Sequence, residues 1–201
     1  MIIYPAKSRN IWFFMIEKIR CFIAINFPDW FKEEVEEILM KLKKANPRLD
    51  VRWVRASNSH LTLHFLGYLD KEKLDEVKRV LSYIIPQTPL ISLRLEGFNY
   101  FPSPQRPRVF FIELKEDKGV LVSCQKRIGQ ELEKIGIRTE KRPWRSHLTL
   151  ARLGISRPLK MPSFDFSKTN PIPVRSIELM KSRLFPQGPQ YTIIQSFPLK
   201  G

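Results

Sequence analysis

Cysteine is almost missing: Cys21 and Cys124 are the two in 201 residues. Two thiols cannot staple a domain, and both stand among apolar neighbours, so buried free thiols in a reducing cytoplasm are expected. Histidine is as scarce, with His60, His64 and His147 making three. The trio His60, Thr62 and His64 lacks a fourth ligand at a suitable spacing, so neither a metal nor another cofactor is expected. No apolar run approaches the roughly 20 residues that cross a bilayer. The stretch Ile11 to Ile16 is short, is flanked by Lys7, Arg9, Lys18 and Arg20, and lacks the small-residue cleavage site of an export signal. A membrane is therefore not an expected partner. Also lacking is any low-complexity linker that would cut the chain in two.

Positive charge, by contrast, is abundant. Lysine and arginine number 35 against 20 acidic residues, a formal net charge of +15. That excess favours a polyanionic partner, RNA or DNA ahead of an anionic membrane surface. With 43% apolar and 27% charged residues the chain is expected to fold. Its length suits one large domain or two small lobes. A second methionine, Met15, precedes the first convincing strand. Residues 1–18 are accordingly expected to be an extension, with Met1 to Phe14 an appended or misassigned start, and residues 19–201 a single bilobal domain.

Taken in order, Arg20 to Phe27 reads as a buried strand, broken by Pro28-Asp29, which supplies a cap. Trp30, Phe31, Val35, Ile38, Leu39 and Leu42 recur at helical spacing, predicting a helix from Asp29 to Ala45. Val51 to Val54 is a short strand, Ser57 to Ser59 a turn, and His60 to Gly67 a strand. Asp70 caps a helix carrying Leu74, Val77, Leu81 and Ile84, which stops before Pro86. Leu90 to Gly97 alternates as a strand. Phe98 to Arg108, with three prolines, reads as a loop, and Val109 to Leu114 as a strand. Asp117 opens a helix through Leu121, Cys124, Ile128, Leu132 and Ile135 that Gly136 closes. Residues 156–173 read as a surface loop. Val174 to Leu184 and Tyr191 to Phe197 close the chain as two strands joined by residues 185–189.

One device occurs twice. His60-Leu61-Thr62-Leu63 returns as His147-Leu148-Thr149-Leu150. In a strand, residues two apart share a face, so each histidine stands beside its threonine and the leucines turn to the core. His64 follows Thr62 on the same alternation and is expected to line the cleft or face solvent; Leu150 is followed by Ala151, which gives His64 no counterpart. Two strand-helix-strand blocks lead up to the two motifs. The expected fold is α+β: two similar lobes related by pseudo-twofold symmetry, with largely antiparallel sheets lining a central cleft and helices outside. Facing imidazoles suit a reaction that needs a general base and a general acid together. In-line displacement at phosphorus has that geometry, and the threonine hydroxyls are placed to donate to the non-bridging oxygens. The spacing demands one acid and one base without saying which is which.

The paired His-x-Thr-x motifs, the opening Arg20-Cys-Phe-Ile-Ala-Ile25, the segment Phe101-Pro-Ser-Pro-Gln-Arg-Pro-Arg108 and the late Leu179-Met-Lys-Ser-Arg-Leu184 resemble the RNA 2′,3′-cyclic phosphodiesterases. This family, also called 2′-5′ RNA ligases, belongs to the two-histidine phosphoesterases. The likeness runs from about Ile19 to the end. It implies metal-independent hydrolysis of an RNA 2′,3′-cyclic phosphate end to a 2′-phosphate, with the 3′ oxygen leaving, and possible reversible 2′-5′ ligation at the same site. By motif position it makes His60 the proton donor, His147 the proton acceptor, and Thr62 and Thr149 the phosphate holders. Arg142 matches a family position upstream of the second motif, and Arg145 and Arg152 flank that motif, so substrate contacts are expected there. Arg106 and Arg108 lie near Phe98, Tyr100 and Phe101, aromatics that either stack on a base or anchor their loop to the core. Lys41, Lys43 and Lys44 read as a solvated face. A monomer in the cytoplasm is expected. Two other readings keep part of this account: a phosphodiesterase for a small cyclic nucleotide or ADP-ribose cyclic phosphate, and a non-catalytic RNA-binding module.

Overall fold

A computed structural model of the chain describes residues 17–154 and 157–201. The expectation for the first residues falls outside these. Nine strands and three helices follow in the order β1 (Ile19–Asn26), α1 (Asp29–Ala45), β2 (Val51–Trp53), β3 (His60–Leu69), α2 (Lys71–Ile84), β4 (Ile91–Phe101), β5 (Val109–Lys115), α3 (Val120–Lys134), β6 (His147–Leu153), β7 (Ile172–Val174), β8 (Ser176–Phe185) and β9 (Gly188–Pro198). They build two antiparallel sheets, β3-β1-β8-β9 and β2-β6-β5-β4-β7. The lobes are not contiguous in sequence. The first sheet takes its last two strands from the C-terminal end, and β2, which precedes the first motif, pairs with β6 of the second sheet.

Each helix buries one apolar stripe, as its 3.6-residue spacing requires. Phe31, Val35, Ile38, Leu39 and Leu42 do so in α1. Leu74, Val77, Leu81 and Ile84 do so in α2, and Leu121, Cys124, Ile128 and Leu132 in α3. These stripes and the core-facing strand residues form one hydrophobic cluster that runs through both sheets. Cys21 and Cys124 are both buried and unpaired. Helices α2 and α3 lie against each other and over β3, on the side away from the motif residues. No helix among the described residues is long and apolar enough to cross a membrane.

Several boundaries differ from the sequence reading, each for a local reason. Asp29 does not cap α1: Pro28 holds the cap position, and the Asp29 carboxylate pairs with Lys32 at 2.8 Å. Asp70 does cap α2, accepting from the Lys73 backbone N–H at 2.9 Å. Helix α3 begins three residues after Asp117, because Gly119 enters the left-handed region at φ 71° and starts the turn. Gly136, at φ 81°, closes the same helix, and its N–H donates to the Glu133 carbonyl at 3.0 Å. Residues Phe98 to Phe101 are strand, not loop: β4 stays paired with β5 through Phe101↔Val109. The prolines begin only after that pair. Within the expected loop 156–173, Ile172–Val174 adds an edge strand on β4, where Pro173 withholds no needed donor.

The register of the two motif strands decides what faces what. On β3, Ala24 pairs with Thr62 but Ile23 with His64, so Leu63 is an extra residue. On β6, Phe111 pairs with Thr149 but Phe110 with Ala151, so Leu150 is the extra one. The same bulge stands at the same place in both copies. It sends two successive side chains to the core and returns the next to the open face. His64 is therefore not a cleft residue. It is 6% exposed, its Nε2 bonds to the Gln125 carbonyl at 2.8 Å, and its ring lies on α3 at Gly129. A Cβ at Gly129 would stand 2.9 Å from His64 Cε1, so glycine there is what admits the ring. The counterpart of His64 is Ala151, equally buried at 0% exposure. On the open face the strands continue with Phe65 and Arg152, both exposed.

Candidate active site

A 3-10 turn at Ala56–Asn58 delivers His60 to the start of β3, and the segment after Pro143 delivers His147 to the start of β6. The two imidazoles are anchored alike. His60 Nδ1 bonds to the Asn58 carbonyl at 2.7 Å, and His147 Nδ1 bonds to the Arg145 carbonyl at 2.7 Å. A carbonyl oxygen only accepts, so in both rings Nδ1 carries its proton and donates. That leaves Nε2 as the nitrogen that exchanges a proton, in the same tautomer on both sides.

Aromatic rings bracket each imidazole. Phe22 and Tyr191 have their centroids 5.1 and 5.0 Å from His60. Phe101 and Phe111 stand 5.0 and 5.2 Å from His147 and are stacked on each other at 4.2 Å. The motif strands lie against one another, and Trp144 Nε1 donates to the Thr62 carbonyl at 3.1 Å, tying the lobes across the join. Burial lowers the His60 pKa, and a charge on His147 across the join adds to that lowering.

Electrostatics favour neutral rings in the free protein. Burial is the main cause that lowers the His60 pKa below the ordinary histidine value, and the bond to Asn58 opposes it. Burial also lowers His147, opposed by the bond to Arg145 and assisted by the cations Arg145 and Arg152. The lobes differ in what stands opposite the ring. Asn26 pairs with His60, whereas Glu113 pairs with His147 and accepts from Arg145 and from Asn99. Among the described residues neither the Thr62 nor the Thr149 hydroxyl is a buried group lacking a partner, and both side chains are half-buried on the open face.

The expected site residues thus divide. His60, Thr62, His147 and Thr149 come together. Arg145 sits beside them, its guanidinium 5.6 and 5.7 Å from the Phe101 and Phe111 centroids and paired with Glu113. Arg142 does not join: its side chain is 84% exposed and pairs with Glu140 at 2.7 Å. Arg152 does join, near enough to Tyr191 of the other lobe to affect its ionisation. The aromatics of β4 divide by strand parity. Tyr100 is buried and its hydroxyl accepts from the Leu159 N–H at 3.0 Å, whereas Phe101 faces His147.

Sequence reasoning missed three neighbours of the pair, Phe22, Phe111 and Tyr191, and with them Phe65, whose ring lies 6.3 Å from that of Phe22. Phe65 is 66% exposed on the open face of β3, whereas plain alternation from Leu61 and Leu63 predicts a core position, so its place carried no local signal. A further neighbour is Glu178, which is 4% exposed and on the open face of β8. Burial pushes its carboxyl pKa up, against bonds from Ser176 and from the Asn26 N–H.

Comparison with known proteins agrees with this geometry. The family model described as "LigT like Phosphoesterase" matches twice, over residues 25–111 and 112–191. An Archaeoglobus fulgidus protein named RNA 2′,3′-cyclic phosphodiesterase is 34% identical over 89% of this chain and 99% of its own length. A Thermotoga maritima protein of the same name is 30% identical over 91% and 97%. Among solved structures, E. coli LigT complexed with 3′-AMP superposes with a TM-score of 0.77 at 25% identity, covering 92% of this chain and 100% of that one. The repeated motif, the shared bulge and these matches together place the chain in the LigT-like, two-histidine phosphoesterase family.

Proposed function

We propose that the protein hydrolyses RNA 2′,3′-cyclic phosphate ends to 2′-phosphates by paired-histidine acid-base catalysis, without a metal ion. The observation that carries the reading is the pair of imidazoles presented from two strands with Nδ1 tied back in both. Each ring is thereby left with one working nitrogen, and two such nitrogens serve the two ends of an in-line displacement. The names of the Archaeoglobus and Thermotoga relatives supply the substrate class.

In this mechanism His147 Nε2 takes a proton from water as its oxygen attacks phosphorus. The bond from phosphorus to the 3′ oxygen breaks on the far side, and His60 Nε2 gives its proton to that oxygen. The 2′ ester survives. Thr62 and Thr149 donate to the non-bridging oxygens, where charge gathers in the transition state. Arg145 and Arg152 supply positive potential on the side of the attacking water. An RNA 5′-hydroxyl in place of water gives a 2′-5′ linkage by the same proton transfers. Both histidines come from one chain, which supports a monomeric, bilobal unit from Ile19 onward. The two unpaired cysteines support a cytoplasmic setting.

The pH dependence follows from the two lowered pKa values. Activity requires His147 neutral and His60 protonated, so kcat/KM follows a bell whose limbs belong to the coupled pair. Because burial holds both rings below the ordinary value of about 6.5, the maximum for the free enzyme falls on the acid side of it. A bound phosphate anion stabilises both imidazolium forms, and the kcat bell moves to higher pH than the kcat/KM bell. Steady-state kinetics from about pH 3.5 to 9, reaching below both lowered pKa values, with a cyclic-phosphate RNA in EDTA tests both statements. Loss of activity in EDTA, or a monotonic profile, contradicts the mechanism.

A further inference from the structure

A cavity of about 330 Å³ opens beside the candidate active site, between the turn that delivers His60 and the β8–β9 hairpin. Arg55 and Asn58 line one wall, and Phe185, Gln187 and Gln190 line the other. The walls are tied together by Asn58 Nδ2, which donates to the Pro189 carbonyl at 3.0 Å. The carbonyl of the same Asn58 accepts from His60 Nδ1. The cavity therefore begins two residues away from the imidazole assigned to the leaving oxygen.

Its chemistry fits a nucleotide. Arg55 is exposed and forms no ion pair among the described residues, so its guanidinium is free to take a phosphate bidentately. Phe185 is 47% exposed and offers a ring face for a base. The amides of Gln187 and Gln190 provide donors and acceptors for base edges without fixing one base. At about 330 Å³ the cavity lies at the small end of the roughly 300–1,000 Å³ range of ligand sites. It suits one nucleotide rather than a longer stretch.

Geometry says which nucleotide. In-line attack puts water at His147 and the 3′ oxygen at His60, so the terminal ribose leans toward the first lobe, and the chain that continues from its 5′ carbon leaves on that side. We propose that this cavity binds the nucleotide immediately 5′ to the cyclic end, with Arg55 on the phosphate that joins the two and Phe185 under its base. The inference rests on the phosphodiesterase reading and adds to it a preference for RNA over mononucleotide substrates.

The test compares adenosine 2′,3′-cyclic phosphate with the dinucleotide ApA carrying a 2′,3′-cyclic phosphate end, for the unaltered protein and for Arg55→Ala, Arg55→Lys and Phe185→Ala. The unaltered protein is expected to favour the dinucleotide about tenfold or more in kcat/KM, the worth of one charge-assisted contact. Arg55→Ala is expected to erase most of that preference through the dinucleotide KM, with Arg55→Lys in between and Phe185→Ala in the same direction. The salt slope for dinucleotide binding should fall by about 0.7, one phosphate contact to a single strand. An unaltered protein without the preference, or an Arg55→Ala protein that keeps it or loses both substrates equally, overturns the subsite and leaves the phosphodiesterase reading standing. No turnover of either substrate by the unaltered protein overturns both.

Discussion

A His147→Ala protein is expected to hydrolyse a cyclic-phosphate RNA about 10²–10⁴-fold more slowly than the unaltered protein, with its fold intact. The imidazole lies on the open face of β6, outside the main hydrophobic cluster, so removing it opens space toward the cleft and leaves the core untouched. Phe101 and Phe111 remain stacked on each other without it. His60→Ala is expected to cost a similar factor. The two losses should not add, because the rings serve one proton-transfer cycle. Their pH profiles separate the roles. If His147 is the acceptor, its replacement removes the acid limb of the bell. If His60 is the donor, its replacement removes the alkaline limb. Retained near-normal turnover in either variant, with unfolding midpoints unchanged, would contradict the assignment of these rings to the chemistry.

Thr62→Val and Thr149→Val are each expected to lower kcat by about 10²–10³-fold, the scale of one donor aimed at developing charge. Valine keeps the branched shape and the strand preference of threonine, so pairing with Ala24 and Phe111 should persist. The loss should fall on kcat more than on KM, because the non-bridging oxygens gain charge in the transition state. Thr→Ser at either site restores part of the rate, since the hydroxyl returns on a less constrained side chain. An effect confined to KM would make the threonines ground-state binders instead.

The motif residues were legible because strand alternation is local: His60 with Thr62, and His147 with Thr149, share a face by period alone. The bulge was not legible. His-Leu-Thr-Leu-His-Phe continues its alternation past His64 without a glycine or proline to mark the extra residue, so period two carried His64 to the wrong face. The clue lay in the other copy. Ala151 occupies the matching place, and a small apolar residue there indicates a buried position on both strands.

The helices were readable from their stripes, and the boundary at α3 moved because Gly119 overrode Asp117 as the starting point. Pro102, Pro104 and Pro107 mark a loop in the sequence, but pairing with β5 carries β4 on through Phe98 to Phe101 before the first of them. Exchange of strands between the lobes had no local signature. The pairing of β1 with β8 joins residues such as Phe22 and Met180, far apart in the chain. The aromatic brackets around His60 depend on that exchange, and so they were missed: Phe22 and Tyr191 meet only in the folded sheet.

The most direct measurement is the chemical identity of the product end. A short RNA with a 2′,3′-cyclic phosphate is incubated with the protein in EDTA, and the product is read by mass and by its response to a 3′-specific and a general phosphatase. The account predicts the gain of one water, resistance to the 3′-specific enzyme and sensitivity to the general one, with the same product formed about 10²–10⁴-fold more slowly by the His60→Ala and His147→Ala proteins. A 3′-phosphate would reverse which oxygen leaves, and product formed by the two variants as fast as by the unaltered protein would place the chemistry elsewhere.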